Sequence, residues 1–174
     1  MSSLTMNGAT RLRTILTLLA FSCASMALAQ PTELPNRRDV LAGITTGGQP
    51  SQSALSAAAA AGYKSVIDLR APGEDRGLDE KAAVESLGMS YVNLPVDGSG
   101  GVSYANASAL DKLLAEAPKP VLVHCASGNR VGALLALRAK MHGADDAAAL
   151  ALGVASGLGG LRPVVEQKLA AGHE

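Results

Sequence analysis

The chain has 174 residues, which is enough for one domain with a hydrophobic core. Its 15 basic and 15 acidic residues leave no formal net charge, and no basic stripe runs along the chain, which argues against nucleic-acid binding. Only 2% of the residues are aromatic, so the core must be built mainly from Ala, Val, Leu and Ile.

Residues 1–29 have the features of a secretory signal peptide. Arg11 and Arg13 precede an apolar run, Ile15–Ala24, that is too short to span a bilayer, and Ala27–Ala29 matches a cleavage site of the A-x-A type. We therefore expect cleavage after Ala29, a periplasmic or secreted protein, and no membrane attachment once the signal is removed. The cleaved part takes two basic residues and no acidic ones, so the remaining chain has a formal charge of −2.

The remaining chain is expected to begin with a flexible leader, 30–40, because this stretch is polar and carries two prolines. A single catalytic domain, 41–174, follows. Apolar runs rich in β-branched residues predict strands at Val40–Thr46, Lys64–Leu69, Met89–Leu94 and Val121–His124. Alanine- and leucine-rich segments predict helices at Gln52–Ala61, Leu78–Leu87, Tyr104–Ala117, Val131–Met141, Ala144–Leu152 and Arg162–Ala170.

Strands that alternate with helices predict an α/β fold, with a mainly parallel sheet flanked by helices on both faces. In such sheets ligands bind beyond the carboxyl ends of the strands. Arg70, Asp97 and Cys125 each follow a predicted strand, so they are expected to converge at this edge. Arg70 and Glu74 are expected either to form a structural ion pair with each other or to line the mouth of the site.

The stretch His124-Cys125-Ala126-Ser127-Gly128-Asn129-Arg130 joins the last strand to a helix. A loop that closes onto a helix N-terminus directs several backbone N–H groups and the positive end of the helix dipole into one space, which suits a tetrahedral anion. The same field favours the thiolate of Cys125 over the thiol. Arg130 adds a fork of donors that fits two oxyanion oxygens, so the loop predicts a nucleophile at the floor of an anion site.

Cysteine usage supports a functional thiol. Cys23 leaves with the signal peptide, and Cys125 is then unpaired in an oxidising compartment. His142 and His173 stand apart from each other, so no metal site and no cofactor are expected. The expected partner is a small anionic substrate, and nothing in the sequence names a partner protein.

Several stretches between about Ile44 and Leu169 resemble the bacterial family of small dual-specificity-phosphatase-like domains. That family also forms the N-terminal part of the beta-lactamase hydrolase-like proteins. The stretches are Thr46-Gly47-Gly48-Gln49-Pro50, Gly62-Tyr63-Lys64-Ser65-Val66-Ile67-Asp68-Leu69-Arg70 with Glu74, Tyr91-Val92-Asn93-Leu94-Pro95-Val96, and the cysteine loop itself. The resemblance implies a cysteine-phosphatase fold.

The resemblance also implies a role for each site residue. Cys125 would attack phosphorus, and the amides of Ala126, Ser127, Gly128 and Asn129, with the Arg130 side chain, would hold the oxygens. Asp97 would act as the general acid and later activate water. His124 would support the loop by orienting its backbone and steadying the thiolate. Asn129 is expected to tolerate a left-handed conformation within the loop.

Two departures from the family pattern keep other functions open. Four residues separate Cys125 from Arg130 where such phosphatases usually have five, and this shorter loop resembles that of rhodaneses, which carry a persulfide. Val131 replaces the usual Ser or Thr, whose hydroxyl helps the thiolate to leave. A rhodanese-like sulfurtransferase with a sulfane sulfur donor is therefore an alternative to the phosphatase, and a non-catalytic anion-binding module is a third possibility.

Overall fold

A computed structural model of the protein describes residues 34–172, and the predicted signal peptide lies outside the described residues. The strands are β1 (Arg38–Leu41), β2 (Ile44–Gly47), β3 (Ser65–Asp68), β4 (Ser90–Asn93) and β5 (Val121–His124). The helices are α1 (Gln52–Ala60), α2 (Glu80–Ser86), α3 (Tyr104–Glu116), α4 (Asn129–Met141), α5 (Asp146–Ala155) and α6 (Arg162–Ala171). No helix between residues 34 and 172 is both long and apolar enough to cross a bilayer.

The five strands form one sheet in the order β1-β2-β5-β3-β4. Strands β2, β5, β3 and β4 are parallel, and β1 joins the edge in the antiparallel direction. Strand β5 lies between β2 and β3, and all four of its residues are buried, as expected for an apolar strand that is covered on both faces. The predicted α/β fold with a mainly parallel sheet is confirmed.

Alternate residues of the strands divide the core between the two faces of the sheet. Val66 and Leu122 point to one face, where they pack with residues of α1 and α2. Ile67 and Val123 point to the other face, where they pack against α3 and α4. Helices α5 and α6 form a further layer on the outer side of α4. Helices therefore flank both faces, as predicted.

One sequence prediction for the N-terminal part is wrong. The strand predicted at Val40–Thr46 is a hairpin, because Gly43 adopts a left-handed φ of +72° and turns the chain between β1 and β2. Of the leader predicted at 30–40, the structure describes residues 34–40. Leu34 is only 6% exposed, and β1 begins at Arg38.

Helix α4 begins differently from the helices that carry polar caps. The side chains of Ser51, Asp79, Ser103 and Asp145 cap α1, α2, α3 and α5 by accepting a backbone N–H of the first turn. The corresponding residue of α4 is Gly128, in a left-handed conformation with φ +89°, and it has no side chain to offer. The first N–H groups of α4 therefore open onto the loop that starts at Cys125.

Candidate active site

Cys125 lies directly after β5, below the surface of the domain. Its side chain is 1% exposed and belongs to the apolar cluster between the sheet and α4. The backbone N–H of Gly128 donates a hydrogen bond to Sγ at 3.1 Å. The loop thus curls around the sulfur and directs at least one amide at it.

The loop is held from outside by the chain that follows β2. The N–H of Cys125 donates to the carbonyl of Gly47 at 3.4 Å, and the carbonyl of Ala126 accepts from the N–H of Gln49 at 3.1 Å. A β-bridge joins Gly48 to Ser127. Because the Ala126 carbonyl points outward, the N–H of the same peptide, which belongs to Ser127, points toward the interior of the loop.

Arg130 is fixed by two partners on neighbouring loops. Its two terminal nitrogens donate to the two carboxylate oxygens of Glu74, Nη1 at 2.5 Å and Nη2 at 2.6 Å. Nη1 also donates to the carbonyl of Val96 at 2.9 Å. Three of the five guanidinium N–H donors are therefore committed. The Nε–H and one Nη2–H remain, and they share the side edge of the guanidinium, which is the edge suited to bidentate binding of an oxyanion.

The electrostatics of this pair agree with its geometry. The hydrogen bond from Arg130 lowers the pKa of Glu74 below its ordinary value, against an opposing effect of burial. The pKa of Arg130 is raised, chiefly by the hydrogen bond to Glu74, against burial, with a further contribution from Cys125. Both groups are therefore charged near neutral pH, and Arg130 lies close enough to Cys125 to interact with its sulfur.

A cleft of about 580 Å³ opens above the loop. Asp97 and Glu74 line it together with Ser127, Asn129 and Arg130. Asp97 is exposed, and the carbonyl of the preceding Val96 is the one bound to Arg130, so the Asp97 loop is tied to the guanidinium. The structure thus brings Asp97 and Arg130 to one cleft, as the ends of the parallel strands predict, while the buried Cys125 is not among the residues that line it.

Asn129 has a different position from the one expected. It is the first residue of α4 in helical conformation, and the left-handed residue of the loop is Gly128. Its side-chain oxygen accepts from the N–H groups of Gly159 at 2.8 Å and Leu161 at 3.3 Å. The carboxamide therefore anchors the turn between α5 and α6, while the residue still lines the cleft.

Behind the loop lies a buried charged cluster that sequence reasoning missed. Asp68, Arg70, Glu80 and His124 all have completely buried side chains. Arg70 pairs with Asp68 at 3.0 Å and also with Glu80, and it does not pair with Glu74. Sequence distance favours Arg70 and Glu74 as partners, but β3 ends in the core while Glu74 reaches the cleft.

His124 links this cluster to the loop. Its Nε2 lies 2.6 Å from a carboxylate oxygen of Glu80, although the ring N–H and that oxygen are poorly aligned for a hydrogen bond. Its Nδ1 lies 3.4 Å from the carbonyl oxygen of Cys125. The imidazole therefore contacts the backbone next to the sulfur and not the cleft, which suits the supporting role that the resemblance implies.

The same cluster is a poor fit for a metal ion. Ligand atoms of Asp68, Glu80 and His124 lie within 4.8 Å of one another, which is a spacing that a cation could bridge. The guanidinium of Arg70 already binds both carboxylates, however, so a cation would be placed against a fixed positive charge. Arg76 also pairs with Asp68 at 2.9 Å, so two guanidinium groups balance the charge of the two carboxylates.

Comparison with known proteins identifies the family of the chain. Residues 37–142 match the family model of the beta-lactamase hydrolase-like protein, phosphatase-like domain. A beta-lactamase hydrolase-like protein of Agrobacterium fabrum is 35% identical over 104 residues, covering 58% of this chain and 24% of the relative. One from Xylella fastidiosa is 36% identical over 103 residues, covering 57% and 24%. The chain therefore spans about a quarter of the length of the curated relatives it matches.

Among solved structures, TpbA of P. aeruginosa in complex with pTyr superposes with a TM-score of 0.61 at 20% identity, covering 82% of this chain and 86% of that one. This likeness supports the fold. The family match covers more than half of the chain and includes β1 to β5, the Glu74 loop, Asp97 and the cysteine loop. The chain therefore belongs to the family of phosphatase-like domains found in beta-lactamase hydrolase-like proteins.

Proposed function

We propose that the protein is a phosphatase-like hydrolase that acts on small phosphomonoesters through a covalent thiophosphate on Cys125. The observation that carries the proposal is the remaining edge of Arg130. Glu74 and Val96 accept three of the guanidinium N–H groups and do not use the Nε–H or the second Nη2–H. The side chain also interacts with the sulfur of Cys125. A phosphoryl group held by this edge has its phosphorus next to the thiolate.

In the first step the thiolate of Cys125 attacks phosphorus, the new S–P bond forms, and the P–O bond to the leaving group breaks. The carboxylic acid of Asp97 gives its proton to the departing oxygen, which then leaves as a neutral alcohol. The loop amides and Arg130 stabilise the negative charge on the remaining oxygens. Asp97 is suited to this task because it is exposed in the same cleft.

In the second step water attacks the phosphorus while the carboxylate of Asp97 takes one of its protons. The S–P bond breaks, inorganic phosphate leaves and the thiolate returns. Val131 offers no hydroxyl to assist the departing sulfur, so we expect this second step to limit the rate. The experiment that tests the proposal is phosphate release from an aryl phosphate by the wild-type protein and by Cys125→Ser.

Rhodanese-like sulfur transfer remains the second candidate, because the loop has only four residues between Cys125 and Arg130. In that reaction the thiolate would attack the outer sulfur of an anionic donor such as thiosulfate, the S–S bond of the donor would break, sulfite would leave, and Cys125 would carry the sulfur as a persulfide. No general acid is needed for that step. Dependence of turnover on Asp97 therefore favours the phosphatase, and thiocyanate formation from thiosulfate and cyanide would favour the alternative.

A further inference from the structure

The segment before β1 lies against the cysteine loop. Leu34 is buried, and the carbonyl of Pro35 accepts the N–H of Gly48 at 2.7 Å. The side chain of Asn36 then reaches the loop itself, and its Nδ2 donates to the carbonyl of Ser127 at 3.1 Å. Asn36 is therefore a side chain from outside the loop that contacts the loop backbone.

This hydrogen bond acts on the peptide that also contacts the sulfur. The carbonyl of Ser127 and the N–H of Gly128 belong to one trans peptide, so they point in opposite directions. Asn36 holds the carbonyl on the outer side at 3.1 Å, and the N–H on the inner side donates to Sγ of Cys125 at 3.1 Å. A rotation of this peptide would turn the carbonyl toward the sulfur, where it would repel a thiolate or a bound oxyanion.

The backbone of Asn36 also indicates a constrained position. Its φ is +54°, and among residues 34–172 it is the single non-glycine residue with a positive φ. Asparagine tolerates this conformation better than most residues, and such strain is retained where the surrounding structure requires it. Asn36 lies one residue before the part of the chain that matches the family, so the family resemblance does not point to it.

We propose that Asn36 is a positioning residue that fixes the Ser127–Gly128 peptide with its N–H directed at the reactive sulfur. The side chain of Asn36 holds the Ser127 carbonyl outward, in the same way as the backbone N–H of Gln49 holds the Ala126 carbonyl outward. The part of the inference that concerns a bound oxyanion rests on the proposed function. The part that concerns the sulfur does not.

Two substitutions separate the hydrogen bond from the backbone conformation. Asn36→Gly removes the donor and keeps a residue that accepts a positive φ. Asn36→Asp keeps the shape but places a carboxylate against the Ser127 carbonyl. We expect iodoacetamide to alkylate Cys125 at mildly acidic pH roughly three- to tenfold more slowly in Asn36→Gly, and more slowly still in Asn36→Asp, since one hydrogen bond is lost in the first variant and a repulsion is added in the second.

Phosphate affinity and the amide resonance of Gly128 are two further measurements that a loss of stability alone would not change. The Kd for inorganic phosphate and the KM for an aryl phosphate are expected to rise by a similar factor, while kcat falls less. The amide proton resonance of Gly128 is expected to move in Asn36→Gly, because its bond to Sγ weakens. Val40→Ala, an exposed position in the adjoining strand, is the matched control and is expected to leave all these values unchanged.

The proposal is overturned if both Asn36 variants keep the wild-type alkylation rate and the wild-type Gly128 resonance. It is also overturned if either variant lowers Tm by more than about 10 °C, since that would make Asn36 a residue of global stability. A wild-type protein that releases no phosphate would refute the proposed function but not this inference, because alkylation and the amide resonance need no substrate.

Discussion

Asp97 is the residue whose role depends most on the chemistry of the leaving group. A general acid matters when the leaving oxygen is basic and matters little when it departs easily. Asp97→Asn is therefore expected to lower kcat/KM for phenyl phosphate by about 10²- to 10³-fold and for a nitrophenyl phosphate by much less. Steady-state kinetics with the two esters measure this difference, and an equal loss on both would remove Asp97 from proton transfer.

Glu74 is expected to hold the Arg130 guanidinium in one orientation through its negative charge and its two acceptor oxygens. In Glu74→Gln the guanidinium loses one acceptor and meets an amide N–H, so the guanidinium is no longer held in one orientation. We expect KM for an aryl phosphate to rise roughly tenfold and the free energy of unfolding to fall by about 1 kcal/mol, because the pair is partly exposed. Glu85→Gln, at an exposed i,i+4 pair with Lys81, is the control.

The stability difference between wild type and Glu74→Gln is expected to depend on pH. The pKa of Glu74 is lowered in the folded state below its ordinary value of 4.5, so its contribution is fully present above that value. The contribution is lost as the pH falls through the lowered pKa, where protonated Glu74 resembles glutamine. Denaturant unfolding at several pH values should show the gap between wild type and Glu74→Gln closing only in acid. A gap that persists unchanged in acid contradicts this account.

The packing of helix α4 against α5 requires a close approach of the two backbones at Gly132. A methyl group at Gly132 would collide with the backbone of Leu158 and with the carbonyl of Gly153. Gly132→Ala is therefore expected to lower the free energy of unfolding by about 2–3 kcal/mol, although alanine is the better helix former. Gly73→Ala, where a methyl group meets open space, is the control and should change stability little. Equal denaturation midpoints for the two variants would contradict the packing argument.

The elements themselves were largely predictable, because periodicity and capping residues act locally. The β3, β4 and β5 strands and all six helices lie within a few residues of their predicted positions. The hairpin at Gly43 was not predicted, since a single glycine within an apolar run is also compatible with one continuous strand. The leader was predicted as flexible from its prolines. That its described part contacts the domain follows from the burial of Leu34 and from the hydrogen bond between Asn36 and Ser127, which the sequence does not indicate.

For the whole molecule, the parallel order of the strands explains why Cys125 and Asp97 could be assigned to one edge from the sequence. The partners of the charged residues could not be predicted from the sequence, because the pairing depends on which side chains are buried in the folded chain. Glu80 looks like an ordinary first-turn acid of α2, yet it is buried beside Arg70 and His124. Glu74 is four residues from Arg70 and binds Arg130, which is 56 positions away.

Hydrolysis of a phosphate ester by the short cysteine loop requires Cys125 as the nucleophile. Phosphate release from an aryl phosphate is therefore measured with the purified, reduced protein and with Cys125→Ser. The wild type is expected to release phosphate and the variant none. No release from a folded protein whose Cys125 is alkylated readily, or equal release by both proteins, would contradict it.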